Sequence, residues 1–121
     1  MNGKGELGRR GESAAAGYLQ DAGLTLVARN WRCGHLEIDL VMEDERSVRI
    51  VEVKTLHAGT GFDPGENVTA DKRRKLIRAA KALYAQHPTS KEIKFDVVTV
   101  LVDGESILEI NYMPDAFDAL G

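Results

Sequence analysis

Asp39, Glu52 and Lys54 are the residues of this chain whose types and spacing could do chemistry. Each lies in a segment of period-2 alternation, where every second side chain faces the same way. In His35–Glu43, Leu36, Ile38, Leu40 and Met42 face one way, and His35, Glu37, Asp39 and Val41 the other. In Val48–Leu56, Val48, Ile50, Glu52 and Lys54 share a face, and Arg49, Val51, Val53 and Thr55 share the opposite one. A hairpin closed about Glu45–Arg46, through the polar stretch Asp44–Ser47, sets Asp39 opposite Glu52 and Glu37 opposite Lys54. Any register that matches the apolar faces groups all four charged side chains, flanked by Val41, Val48 and Ile50.

Carboxylates held so close repel one another, and partial burial raises the cost of keeping them charged. Lys54 offsets one charge. A divalent cation would offset the rest, because carboxylate oxygens are what Mg²⁺ prefers. An ion so held polarises a phosphoryl oxygen and lowers the pKa of a bound water. Lys54 could then orient or deprotonate that water, or stabilise the developing negative charge. That is phosphodiester hydrolysis. The bland alternative fits the same spacing: Glu-x-Lys on a strand is common, and the group also reads as a salt-bridge cluster on a solvated face. Glu37 fits a structural or supporting role better than that of a ligand.

These strands need neighbours to hold them. From about Glu6 to Ala22 the chain is alanine-rich and helical in period, with Leu7, Ala14, Ala15, Tyr18, Leu19 and Ala22 on one face and Glu12 at its edge. Gly23 supplies a stop. Gly8, Gly11 and Gly17 work against this helix, at about 1 kcal/mol each relative to alanine. A strand is predicted over Thr25–Arg32. A glycine-rich loop runs from His57 to Val68, and a second helix opens with Thr69 as N-cap and Asp71 in the first turn. Its apolar stripe is Leu76, Ile77, Ala80, Leu83 and Tyr84; Arg74, Lys75, Arg78 and Lys81 take the opposite face, and Pro88 ends it. Phe95–Val102 and Ser106–Tyr112 are further strands, and the tail MPDAFDAL reads as a turn. The order α-β-β-β-α-β-β predicts an α/β or α+β sheet with helices packed on it.

Length and composition bound the rest. With 121 residues, 43% hydrophobic and 29% charged, the chain fits one ordinary globular domain spanning 1–121. No apolar run nears the roughly 18 residues needed to cross a bilayer, and MNGKGELGRRGE, with no apolar core after its basic residues, does not read as a signal peptide. A single cysteine, Cys33, rules out an internal disulfide, so a cytoplasmic location is expected. The formal net charge of −3 argues mildly against nucleic acid, yet six of the sixteen lysines and arginines fall between Lys72 and Lys81. Phosphate contact depends on local potential rather than on the sum. Lys72 and Arg73, beside the glycine-rich loop, are better placed to reach the strands than the basic face behind them. Arg9 and Arg29 are further candidate nucleic-acid contacts, and Trp31, between Arg29 and Arg32, fits stacking on a base or, more simply, a partly buried core position. His35 lies on the Asp39 face. Cys33 has no partner at nucleophile–base spacing.

A set of short motifs then gives a resemblance over nearly the whole chain. Gly8-Arg9-Arg10-Gly11-Glu12 with Ala15 and Tyr18-Leu19, Ala28-Arg29-Asn30, Glu37-Ile38-Asp39-Leu40-Val41, Val51-Glu52-Val53-Lys54, Lys72-Arg73-Arg74-Lys75-Leu76, Phe95-Asp96-Val97-Val98 and Asp115-Ala116-Phe117 occur in that order. The sequence resembles the YraN-like family of small bacterial proteins, placed in the PD-(D/E)XK endonuclease superfamily with similarity to archaeal Holliday-junction resolvases. The resemblance implies a restriction-endonuclease-like core, a mixed β-sheet flanked by helices. It makes Asp39 and Glu52 metal-binding carboxylates, the Val53 backbone carbonyl a further ligand and Lys54 the catalytic lysine. It also points Glu12, from the first helix, into the same site, as a ligand directly or through water. This chain differs from the family pattern at Leu36, where glycine is common before Glu-Ile-Asp. It differs again at Leu56, where an arginine often follows the lysine and would contact phosphate.

The expectation is therefore a Mg²⁺- or Mn²⁺-dependent endonuclease acting on DNA, branched or single-stranded, with a homodimer as a possible assembly and no membrane partner. A different class, a non-catalytic nucleic-acid-binding or protein-interaction module on a nuclease scaffold, is distinguished by salt-dependent DNA binding without cleavage. A hydrolase of small phosphate compounds is a weaker third reading.

Overall fold

The alanine-rich start folds as helix α1, Glu6–Asp21, closed by Gly23 at φ 100°, a left-handed position that suits glycine. The computed structural model describes residues 5–59 and 68–119; most of the glycine-rich loop predicted for His57–Val68 lies outside them. Five strands follow: β1 Thr25–Cys33, β2 Leu36–Glu43, β3 Ser47–His57, β4 Glu92–Asp103 and β5 Ser106–Phe117. Helix α2, Ala70–Gln86, lies between β3 and β4. The order is the predicted α-β-β-β-α-β-β. The strands form one mixed sheet in the spatial order β1-β2-β3-β4-β5. All neighbours are antiparallel except β3 and β4, which are parallel and joined through α2, as a parallel pair requires a crossover.

The two helices cover opposite faces. Ala15, Ala16 and Leu19 of α1 pack with Leu40, Met42, Val51, Val98, Val100 and Val102. Leu76, Ala79 and Ala80 of α2 pack with Ile38, Val41, Val48, Ile50, Phe95 and Val97. Burial on both faces explains why Phe95–Val102 reads as a nearly continuous apolar run rather than an alternating one. The predicted basic face of α2 is exposed at Arg74, Lys75, Arg78 and Lys81. Its Thr69 hydroxyl accepts the Lys72 N–H at 3.2 Å, the predicted cap.

Three expectations need correcting. The buried face of α1 runs through Gly11, Glu12, Ala15, Ala16 and Leu19, so Glu12 is central to it, while Tyr18 is 42% exposed. Gly11 has a packing reason: a Cβ there would overlap the Thr55 side chain. The tail is strand rather than turn as far as Phe117. The carboxylate of Asp96, fully buried, accepts bonds from Arg49 Nη1 at 3.0 Å, Tyr112 OH at 2.6 Å and the Asp115 N–H at 2.9 Å. Those bonds fasten β5 to the sheet across the bend at Asp115, whose φ is 52°. Finally, β2 does not alternate cleanly. Ile38 lies under α2 with Val41, whereas Leu40 and Met42 lie under α1, so the phase breaks at Asp39.

Candidate functional site

That break is what shapes the site. The β2–β3 ladder runs in the predicted register from Glu43↔Val48 to Leu40↔Val51 and pairs no residue beyond it. On the other side of β2, pairing with β1 skips one position: Arg29↔Leu40 and Trp31↔Ile38 are partners, and Asn30 with Asp39 is not among them. Asn30 has φ 51°, a conformation asparagine tolerates better than most residues. Its side-chain Oδ1 is buried and has no hydrogen-bond partner among the described residues. The strand backbone thus distorts at the same point from both sides.

Freed from regular alternation, the Asp39 side chain reaches across to β3. Its Oδ2 accepts the Val53 N–H at 2.8 Å, standing in for the ladder bond that the diverging strands no longer make. Asp39 is 6% exposed and lies beside the triplet Glu52-Val53-Lys54. In an extended strand the N–H and C=O of one residue lie on the same edge, so the Val53 carbonyl is on the edge that faces β2. Glu52 and Lys54 follow Val48 and Ile50 on the α2 side of the sheet. There the Lys72 ammonium, from the first turn of α2, stands 3.6 Å from Glu52 Oε2.

Glu12 arrives from the other layer. It is 2% exposed, in the turn of α1 that Gly11 brings against Thr55, next to Lys54. Arg29 Nη2 donates to Ser13 Oγ at 3.0 Å and ties that turn to β1. With Glu12 and Glu52 on opposite sides of β3, no three acidic, histidine or cysteine side chains gather as a metal-binding set among the described residues. The other sequence candidates divide. Glu37 pairs with Arg32 of β1, at 3.0 and 3.2 Å to Nη2 and Nε, and the β2–β3 ladder does not set it opposite Lys54. His35 sits exposed in the β1–β2 turn, before β2 begins, and not on the Asp39 face. Arg73 Nη1 donates to the Val68 carbonyl at 2.8 Å and braces the start of α2, and Arg9 is exposed on α1. Trp31 is partly buried against the α2 core, and Cys33 Sγ lies 3.7 Å from Gln86 Nε2.

Sequence reasoning missed Asn30 as a shaping residue; its one signal was an asparagine inside a strand pattern, which strand propensity disfavours. A concavity of about 750 Å³ lies at the hairpin end of the sheet among Asp44, Arg46, Ser47, Arg49 and Lys91, and its lining includes none of the candidate residues. Within it Lys91 Nζ meets Glu43 Oε2 at 3.3 Å, while Arg49 reaches beyond the lining to Asp96 and Asp115.

Fold and site together define an α/β protein with a mixed five-stranded sheet whose central hairpin splays around a buried aspartate and a Glu-x-Lys triplet. The chain belongs to the uncharacterised protein family UPF0102, whose profile matches residues 11–100. It is similar to a UPF0102 protein of Nocardia farcinica, 46% identical over 101 residues, which are 82% of this chain and 79% of the relative. A UPF0102 protein of Bacteroides thetaiotaomicron is 37% identical over 112 residues, covering 93% and 92% of the two chains. One of Chloroherpeton thalassium is 34% identical over 128 residues, with 99% of each covered. No helix among the described residues is long and apolar enough to cross a membrane.

Proposed function

We propose that this protein is a divalent-metal-dependent nuclease that hydrolyses DNA phosphodiester bonds at Asp39, Glu52 and Lys54. The observation that carries the reading is the 2.8 Å bond from the Val53 N–H to Asp39 Oδ2, which sets a buried carboxylate against a Glu-x-Lys triplet where the strands part. Asp39 and Glu52, both nearly buried, and the Val53 carbonyl would supply an all-oxygen donor set, which fits Mg²⁺ or Mn²⁺. Magnesium commonly takes one or two carboxylates and keeps several waters, so a gathered third acid is not required. When bound, the ion supplies a Lewis acid for a phosphoryl oxygen.

The chain's own residues do the remaining work. Asp39 and Glu52 would hold the ion, Asp39 being fixed in place by its bond from the Val53 N–H. Lys54 shares the Glu52 face, and its Nζ orients the attacking water and meets the negative charge that develops on the phosphoryl oxygens. Glu12, buried on the far side of β3, supports the site from α1. Arg9, Arg29, Lys72 and Arg73 supply positive charge around it for the phosphate backbone. The absence of a gathered acidic set among the described residues favours a second reading, a DNA-binding module on a nuclease scaffold.

The test is cleavage of labelled branched, single-stranded and duplex DNA with Mg²⁺ or Mn²⁺, comparing the wild type with Lys54→Ala and Asp39→Asn. Cleavage lost in both variants, with Lys54→Ala still folded, supports the nuclease. Salt-dependent binding without cleavage of any substrate selects the module.

A further inference from the structure

Lys72 stands in an unfavourable place for a cation. It is the third residue of α2, where the helix dipole and the unpaired N–H groups favour a negative side chain, and where a glutamate or glutamine would complete a capping box behind Thr69. Local helix energetics therefore do not account for it; what the lysine meets across the layer does. Its ammonium is 3.6 Å from Glu52 Oε2, an ion pair too long to be a hydrogen bond, with the lysine side chain 42% exposed and the glutamate 12%. Such a pair is held weakly and can exchange partners.

We propose that Lys72 is a displaceable counter-ion of the metal site. In the metal-free protein it neutralises Glu52. It yields that carboxylate when a divalent cation binds, and the freed ammonium, still tethered at the rim of the site, takes a phosphate of the DNA. Metal loading and DNA binding are thereby coupled through one side chain. The inference rests on the reading of Glu52 as a metal ligand. It distinguishes Lys72 from Lys75 one turn on, which meets its own helix partner Asp71 at 3.3 Å.

Calorimetric titration with Mn²⁺, without DNA, tests the first half on wild type, Lys72→Gln and Lys94→Gln. Lys94 pairs with Glu92 at 3.3 Å at the start of β4 and controls for the change in net charge. Removing a competing cation from a partly exposed pair should tighten Mn²⁺ binding by roughly two- to fivefold in Lys72→Gln and leave Lys94→Gln at the wild-type value. Anisotropy of labelled duplex DNA in Ca²⁺ and in EDTA tests the second half: the gain in affinity that Ca²⁺ brings should shrink in Lys72→Gln and persist in Lys94→Gln. Equal or weaker Mn²⁺ binding by Lys72→Gln, beside clear binding by the wild type, overturns the counter-ion role and leaves the metal site standing. An undiminished Ca²⁺ gain in Lys72→Gln overturns the coupling. No Mn²⁺ binding by any form removes the metal site and this inference with it.

Discussion

Replacing Asp39 by alanine and by asparagine separates two effects of one carboxylate. Its oxygen accepts the Val53 N–H at 2.8 Å where the β2–β3 ladder has ended, and its charge sits 6% exposed near Glu52. Asp39→Ala takes away the acceptor and leaves that backbone donor in a largely buried place. A stranded donor of this kind costs about 1–3 kcal/mol. Relief of repulsion with Glu52 returns a part of that, for a net loss of about 1.5 kcal/mol. With a urea dependence of about 1–3 kcal/mol per molar for a chain of this size, the unfolding midpoint should fall by roughly 1 M. Asp39→Asn keeps an oxygen for the Val53 N–H and removes the charge. Its midpoint should equal the wild type's or exceed it, while Mn²⁺ affinity falls in both variants. Urea unfolding at neutral pH without metal, followed by circular dichroism, measures this directly. An alanine variant as stable as the wild type, or an asparagine variant less stable than the alanine one, would refute the claim that this bond replaces the ladder.

Burial, then the hydrogen bond to Asp96 and its charge, raise the pKa of the Tyr112 hydroxyl above its usual value. A raised folded-state pKa means that this contribution is fully present below the unfolded value of about 10 and is lost as the pH rises through the folded one. Tyr112→Phe should therefore flatten the alkaline loss of stability relative to wild type above about pH 10, and cost about 1–2 kcal/mol at pH 7 because buried Asp96 loses a donor. An alkaline slope identical in the two proteins would show that the bond does not govern it. Two glycines of α1 should respond in opposite senses. Gly17→Ala, with nothing within 4 Å of the added carbon, should stabilise by about 0.5–1 kcal/mol. Gly11→Ala meets Thr55, and overpacking of about 1–3 kcal/mol outweighs the helix gain, so its melting temperature should drop.

The periodic signals in the sequence were enough for the element order, the cap at Thr69, the exposed basic face of α2 and the hairpin register. Each of these follows from local chemistry: spacing sets which side chains share a face, and a short polar connection sets which residues oppose. The face shared by Val48, Ile50, Glu52 and Lys54 was legible for the same reason, whereas Asp39 meets the Val53 N–H instead of standing in a ladder pair with Glu52. The sequence by itself did not determine the break in β2 alternation at Asp39 and Asn30, the central burial of Glu12, or the pairing of Lys72 with Glu52. Nor did it reveal that β5 continues through the tail. Each of those depends on a partner distant in the chain: Asn30 distorts against β2, Gly11 admits Thr55, α2 docks over β3, and Asp96 collects Arg49, Tyr112 and Asp115 from two other strands. Hydrophobic period fixes which way a residue faces within its own element. Which charge meets which across the layers is decided by packing, because that energy belongs to pairs no local window contains.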